Sequence, residues 1–236
     1  MRSQSDEKSV LEFLAIPKPD LLNFELASEK VFRPCYFIAV DRHTSSIILS
    51  VRGTMSIMDA LTDLICEYQP WKGGLVHSGF LVSAKWFIKN VLSQLISFCS
   101  LYDADKLILV GHSLGAAIAS LLTIMLQDHI DEFPKKEGFK IHCYAFAPPC
   151  IVSKDLSIRY QPFIDSFVYG DDIVPRLSYG AMMDFKTMLL CAVESSTNHL
   201  KEILRVSRGR RRWTIELLAN RMILDFYWKS TRVRDV

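Results

Sequence analysis

Short apolar runs of strand length alternate along this chain with longer stretches whose apolar residues recur at helical spacing. The runs "CYFIAVD" (residues 35–41) and "SSIILSVRG" (residues 45–53) predict two strands, and "DRHT" between them suits a hairpin turn. "SIMDALTDL" predicts a short helix. After "GGLVHSGF", residues 81–98 form a long amphipathic stretch, with Trp86, Phe87, Ile88, Val91, Leu92, Leu95 and Ile96 at helical spacing. Residues 106–110 are continuously apolar after Lys106, as expected of a strand buried on both faces. From Leu114 onward, alanines and leucines predict a helix with a broad apolar face. "KIHCYAFAPP" predicts a strand that Pro148 and Pro149 stop, and "FIDSFVYGDD" predicts one more. Beyond Tyr179 the pattern is helical but less regular. "RWTIELLANRMILDFYWKS" fits one more helix or a strand pair. Strands alternating with helices place the chain in the α/β class, with a mainly parallel central sheet and helices on both faces. Residues 31–236 are expected to form one domain, with residues 1–30 a helical or irregular lead-in.

Composition changes this picture little. Half of the 236 residues are hydrophobic, enough for a large core, and a net charge of +2 points to no particular partner. The N-terminus lacks the apolar region of a secretory signal, and no apolar run is long enough to span a bilayer. Cys35, Cys66, Cys99, Cys143, Cys150 and Cys191 are scattered, mostly in apolar surroundings and without a C-x-x-C pair. They read as reduced, buried thiols of an intracellular chain, not as a disulfide framework or a metal site. The expected location is cytoplasmic or peripheral to a membrane.

The chemistry concentrates in "LILVGHSLGAAIAS". A strand runs into Gly111-His112-Ser113-Leu114-Gly115, and a helix of small residues follows. The chain must reverse within a few residues there, which crowds positions 111 and 115 and admits only small side chains. Ser113 then sits at the tip of a strained turn, as in the nucleophile elbow of α/β-hydrolases. The Leu114 N–H, at the start of the helix, would face a developing oxyanion. A serine nucleophile also needs a base and an acid that orients the base, in the chain order serine, acid, histidine. "FVYGDDIVPRLS" offers Asp171 and Asp172 at the carboxyl end of a strand, where open α/β sheets place functional groups. One of the two aspartates could instead cap the next turn, Asp171 being the expected one.

"SVRGTMSIMDALTDL", "GGLVHSGF", "LVGHSLGAAIASLL", "CYAFAPP" and "GDDIVPRLS" occur here in the order seen in class 3 lipases. The chain resembles that family over residues 33–178, and within it the sn-1-specific diacylglycerol lipases and their plant and fungal relatives. The resemblance implies an α/β-hydrolase fold that hydrolyses glycerolipid esters, with Ser113 as nucleophile and Asp172, directly before Ile-Val-Pro-Arg, as triad acid. It implies Thr54 as a second oxyanion donor beside Leu114, and a lid over residues 55–71. The apolar and acidic mix of that segment suits a mobile flap, and equally an ordinary packed surface helix. The substrate so implied is diacylglycerol or a related glycerolipid. No cofactor or metal is needed, calcium dependence being implied by resemblance alone.

The histidine is where the sequence departs from the family. Of His43, His77, His112, His129, His142 and His199, only His199 follows Asp172. It sits in "STNHLKEIL", which reads as a helix start capped by Asn198, not as a loop at a strand end. The family's histidine usually lies further on, so the chain is expected to stop before it. That leaves either feeble hydrolysis or a lipid-binding protein that keeps the fold without its base. His112 is expected to point away from Ser113, and His77 to be structural. The run "RVSRGRRRW" (residues 205–213) reads as a solvated loop, as a contact for anionic headgroups with Trp213 at the interface, or, with least support, as a nucleic-acid patch. A peripheral membrane surface is the expected partner and nucleic acid is not. The oligomeric state is not legible in the sequence.

Overall fold

The computed structural model describes residues 2–26, 33–53 and 68–176, together with separate helical positions between 180 and 194. Its centre is a six-stranded sheet built from β1 (Leu21–Glu25), β2 (Tyr36–Asp41), β3 (Ser46–Val51), β6 (Lys106–His112), β7 (Lys140–Phe146) and β8 (Ile164–Phe167), in that spatial order. β1, β2 and β3 are antiparallel neighbours, whereas β3, β6, β7 and β8 run parallel. A separate hairpin pairs β4 (Tyr68–Trp71) with β5 (Gly74–His77). Among the described residues before 180, the α-helices are α1 (Arg2–Leu14), α2 (Ser78–Asn90), α3 (Leu92–Leu101), α4 (Leu114–Leu126) and α5 (Lys154–Tyr160). The α/β architecture is the one the alternating pattern requires. Among the described residues, no helix is long and apolar enough to cross a membrane.

Strand alternation shows where the core lies. Ile47, Leu49 and Val51 of β3, Leu107 and Leu109 of β6, and Ile141, Cys143 and Ala145 of β7 are all buried on one face. α2, α3 and α4 cover that face through Phe80, Phe87, Leu95, Ala117, Leu121 and Ile124. α4 is buried nearly all round, so it stays hydrophobic on every side and is built from small residues next to the sheet. Truncating Leu107 or Leu109 to alanine would cost about 2–5 kcal/mol, the range for fully buried leucines. The alternate residues Ile48, Ile108, Val110 and Tyr144 are only half-buried. β6 is thus fully buried on one face, not both. The other face carries α1, which stands off the sheet over a cavity of about 980 Å³ lined by Phe13, Leu14, Phe37, Ile48 and Val110.

Several elements differ from the sequence pattern. The lead-in contains a strand, β1, which pairs with β2 and is tied to α3 by Asn23 Nδ2 donating to Gln94 Oε1 at 2.5 Å. The long helix breaks at Val91 (φ −125°, ψ −23°). Asn90, just before the break, turns its side-chain amide onto the Trp86 carbonyl at 2.7 Å, where it competes with the helical ladder. The β4–β5 hairpin turns at Lys72 and Gly73, both at positive φ, which is the geometry that matches strand twist. Residues 68–71 are therefore a strand, and the lid reading can apply only to residues 55–67, outside the described residues. Of the described cysteines, Cys99 and Cys143 are buried as expected, but Cys150 and Cys191 are exposed.

Candidate active site

Three adjacent strands end level with one another. His112 at the end of β6 pairs with Phe146 at the end of β7, which pairs with Phe167 at the end of β8. On the other side, Val51 at the end of β3 pairs with Gly111. The exits of β3, β6 and β8 therefore share the carboxyl edge of the sheet, where ligands of open α/β sheets bind.

The exit of β6 is the sharp turn the small residues predict. Ser113 has φ 55° and ψ −124°, a region that costs a non-glycine residue about 1–3 kcal/mol. Two backbone bonds hold it there. The Ser113 N–H donates to the Phe146 carbonyl at 2.9 Å, and the Ser113 carbonyl accepts from Ala117 N–H at 3.1 Å. α4 starts at the next residue, so the Leu114 N–H belongs to the first turn, whose donors have no partner inside the helix. The packing explains both flanking glycines. A Cβ on Gly111 would lie 2.3 Å from the Gly115 carbonyl carbon, and one on Gly115 would lie 2.2 Å from the Val51 carbonyl oxygen. Gly53 is constrained in the same way, since a Cβ there would lie 2.6 Å from the His112 carbonyl oxygen. The segment leaving β3 is thus pressed main chain to main chain against the elbow. Thr54, the next residue, lies outside the described residues.

Asp172 follows the exit of β8. Its N–H donates to the Tyr169 carbonyl at 3.2 Å, and its Oδ1 accepts the Val174 N–H at 3.0 Å. Asp172 is half-buried, whereas the Asp171 side chain is fully exposed, 3.9 Å from the Arg176 guanidinium. The structure thus separates the two aspartates that the sequence left adjacent. The turn-capping contact expected of Asp171 is made by Asp172, which is folded into the loop, while Asp171 faces solvent.

The described histidines occupy other settings. His77 is a buried cap of α2, its Nδ1 accepting the Phe80 N–H at 3.5 Å and its ring packed on Phe80, which agrees with its reading as structural. His142 pairs with Asp165 at 3.0 Å and His129 with Glu132 at 2.6 Å. His43 lies in the β2–β3 turn, at the opposite edge of the sheet. His112 is exposed at the end of β6. His199 and the basic run 205–213 lie outside the described residues. Among the described residues, no group of three or more His, Cys, Asp or Glu side chains is placed to hold a metal ion.

A serine held at positive φ between a parallel strand and a helix defines the α/β-hydrolase class. The family model described as lipase (class 3) matches residues 48–182, more than half of the sequence. This chain belongs to the class 3 lipase family. It is 32% identical to mouse diacylglycerol lipase-beta over 208 residues, covering 83% of this chain and 29% of that protein. It is also 32% identical to human diacylglycerol lipase-alpha over 184 residues, covering 72% of this chain and 17% of that protein. The chain therefore spans less than a third of the length of either relative. The crystal structure of a lipase from Rhizopus microsporus var. chinensis shares the fold, with a TM-score of 0.60 at 24% identity over 74% of this chain and 61% of that one.

Proposed function

We propose that this chain is a serine hydrolase of glycerolipid esters that cleaves diacylglycerol to monoacylglycerol and a fatty acid. The observation that carries the reading is Ser113, fixed at φ 55° between β6 and α4 with the Leu114 amide at the helix start beside it. The names of the relatives supply the substrate class.

The Ser113 hydroxyl attacks the ester carbonyl, its proton passes to the base, and the carbonyl oxygen becomes an oxyanion. The Leu114 N–H and Thr54 hold that oxyanion, each donor contributing roughly 3 kcal/mol of barrier lowering in comparable sites. Collapse expels the glyceride alcohol, which takes the proton, and leaves an acyl-enzyme. Water, deprotonated by the same base, then releases the fatty acid. Asp172 orients the base. Chain order offers His199, the one histidine that follows Asp172 in the sequence, against the helix-start pattern of "STNHLKEIL" around it. The chemistry draws on no cofactor, and chelation of calcium tests the one ion that the resemblance raises. The protein works peripherally at an intracellular membrane, where residues 205–213 would meet anionic headgroups.

The test is release of fatty acid from diacylglycerol in mixed micelles by the chain and by Ser113→Ala. Release that stops in the variant supports the reading. Tight binding of the micelles with no Ser113-dependent release would favour the rival, a lipid-binding protein with the fold alone.

A further inference from the structure

The loop that carries Asp172 is only partly held by packing: Val174 and Pro175 are half-buried, but Tyr169 is 93% exposed and Ile173 65% exposed. Polar contacts from two residues close the loop. The Arg176 guanidinium donates through Nη1 to the Asp172 carbonyl and through Nη2 to the Gly170 carbonyl at 3.4 Å, with the Asp171 carboxylate 3.9 Å from Nη2. The Arg176 N–H donates to the Ile173 carbonyl at 3.0 Å. One residue earlier, the Pro175 carbonyl accepts the Cys150 thiol at 3.1 Å, and the Cys150 carbonyl in turn accepts the Tyr68 hydroxyl. Although Cys150 is exposed as a residue, partial desolvation of its sulfur against the loop pushes the thiol pKa up, so near neutral pH the sulfur keeps the proton it donates. Within this frame Asp172 Oδ1 is taken by the Val174 N–H, and Oδ2 has no hydrogen-bond partner among the described residues.

We propose that Arg176 is a positioning residue for the acid of the triad, gathering the carbonyls of Gly170 and Asp172 so that Asp172 presents Oδ2 to the base, with Cys150 anchoring the far end of the same loop. The proposal rests on the reading of Asp172 as that acid. A planar guanidinium can reach two carbonyls with two fixed donors, whereas a lysine ammonium is a point charge that cannot reproduce the fork. The side chain is more than half exposed, so its contribution lies in orientation and not in global stability.

The test uses the whole chain with Arg176→Gln, Arg176→Lys, Cys150→Ala, Cys150→Ser and Asp172→Asn. p-Nitrophenyl butyrate turnover and amide hydrogen exchange are both read, the latter at Val174 with Leu109 and Cys143 as core references. Arg176→Gln is expected to lower kcat on the order of 10–100-fold with KM little changed, the scale of a displacement of about 1 Å. Val174 exchange should accelerate while Leu109 and Cys143 hold. Arg176→Lys should restore only part of the turnover. Cys150→Ala should lose less than Arg176→Gln, and Cys150→Ser should recover the loss because a hydroxyl can still donate to Pro175. Unchanged Val174 exchange in Arg176→Gln overturns the proposal, as does acceleration that extends to Leu109 and Cys143, which marks a merely structural role. If Asp172→Asn keeps wild-type turnover, the acid is misassigned, whatever the exchange shows. If Asp172→Asn collapses and Arg176→Gln keeps its kcat, the acid stands and the positioning role fails.

Discussion

Gly115→Ala sets two effects of opposite sign against each other. Gly115 is the second residue of α4, and glycine to alanine inside a helix normally stabilises by about 1 kcal/mol. Here the added Cβ would lie 2.2 Å from the Val51 carbonyl oxygen, 2.8 Å from the Arg52 carbonyl carbon and 2.9 Å from the Gly53 nitrogen. All three are main-chain atoms, so no side chain can rotate away. The exit of β3 and the start of α4 must part by about 1 Å, and overpacking of this kind costs about 1–3 kcal/mol. The clash wins over propensity, so thermal unfolding should shift down by several degrees, at roughly 2–4 °C per kcal/mol for a domain of this size. The same movement separates the Arg52–Gly53 segment from Ser113, and a displacement of about 1 Å at a reacting centre costs on the order of 10²-fold in rate. The assay is p-nitrophenyl butyrate kcat/KM beside a thermal melt, on wild type and Gly115→Ala. A variant that keeps both its melting temperature and its rate would show that the elbow is not packed against the β3 exit.

Other perturbations separate the remaining assignments. Asp172→Asn should cut turnover on the order of 10⁴-fold, the scale for neutralising a triad acid, and exposed Asp171→Asn far less. The reverse ranking in the same assay would move the acid by one residue. His199→Ala should change turnover little, because "STNHLKEIL" reads as a helix start and not as the loop at a strand end that a base requires. Turnover that collapses to the level of Ser113→Ala would instead make His199 the base. Burial raises the thiol pKa of Cys99 and of Cys143 to about 12, so both stay protonated at pH 8, with a thiolate fraction on the order of 10⁻⁴. Iodoacetamide followed by peptide mass spectrometry should spare both in the native protein and modify both after denaturation. Native alkylation of either would contradict the packing of α3 or of β7. Because these thiols keep their protons in the fold and lose them when unfolded above about pH 8.5, they add to the loss of stability as pH rises toward 12.

The elbow was legible because two constraints coincide within five residues: a chain reversal and backbone contact on both sides of the serine. Gly111 is required by Gly115 within the same turn, as the pattern implied, whereas Gly115 is required by the main chain at the exit of β3, which the pattern does not place there. The residue pattern alone read Asp172 as one of a pair, and only the resemblance singled it out; the turn that Val174 closes on it is not visible in residue types. β1 went unread because Leu21–Glu25 pairs on one side only, along an edge of the sheet, and none of its residues is fully buried. The β4–β5 hairpin was hidden by Pro70, which argues against a strand, although Lys72-Gly73 was the available signal. The break at Val91 has no proline or glycine to announce it, only an asparagine side chain turned on its own helix one residue before. The positioning contacts of Arg176 and Cys150 join main-chain carbonyls, whose partners no residue pattern specifies. Thr54, the lid segment and His199 fall outside the described residues, and their roles rest on resemblance and chain order.

The central claim is that one serine, at the tip of the β6–α4 turn, is the nucleophile. Treating the chain with a fluorophosphonate probe, then digesting it and mapping the modified peptide by mass spectrometry, tests that claim directly. The account predicts a single phosphonylated site at Ser113, with labelling abolished in Ser113→Ala and slowed in Gly115→Ala. Labelling that persists in Ser113→Ala, or that maps to a serine outside the 111–115 turn, would contradict it.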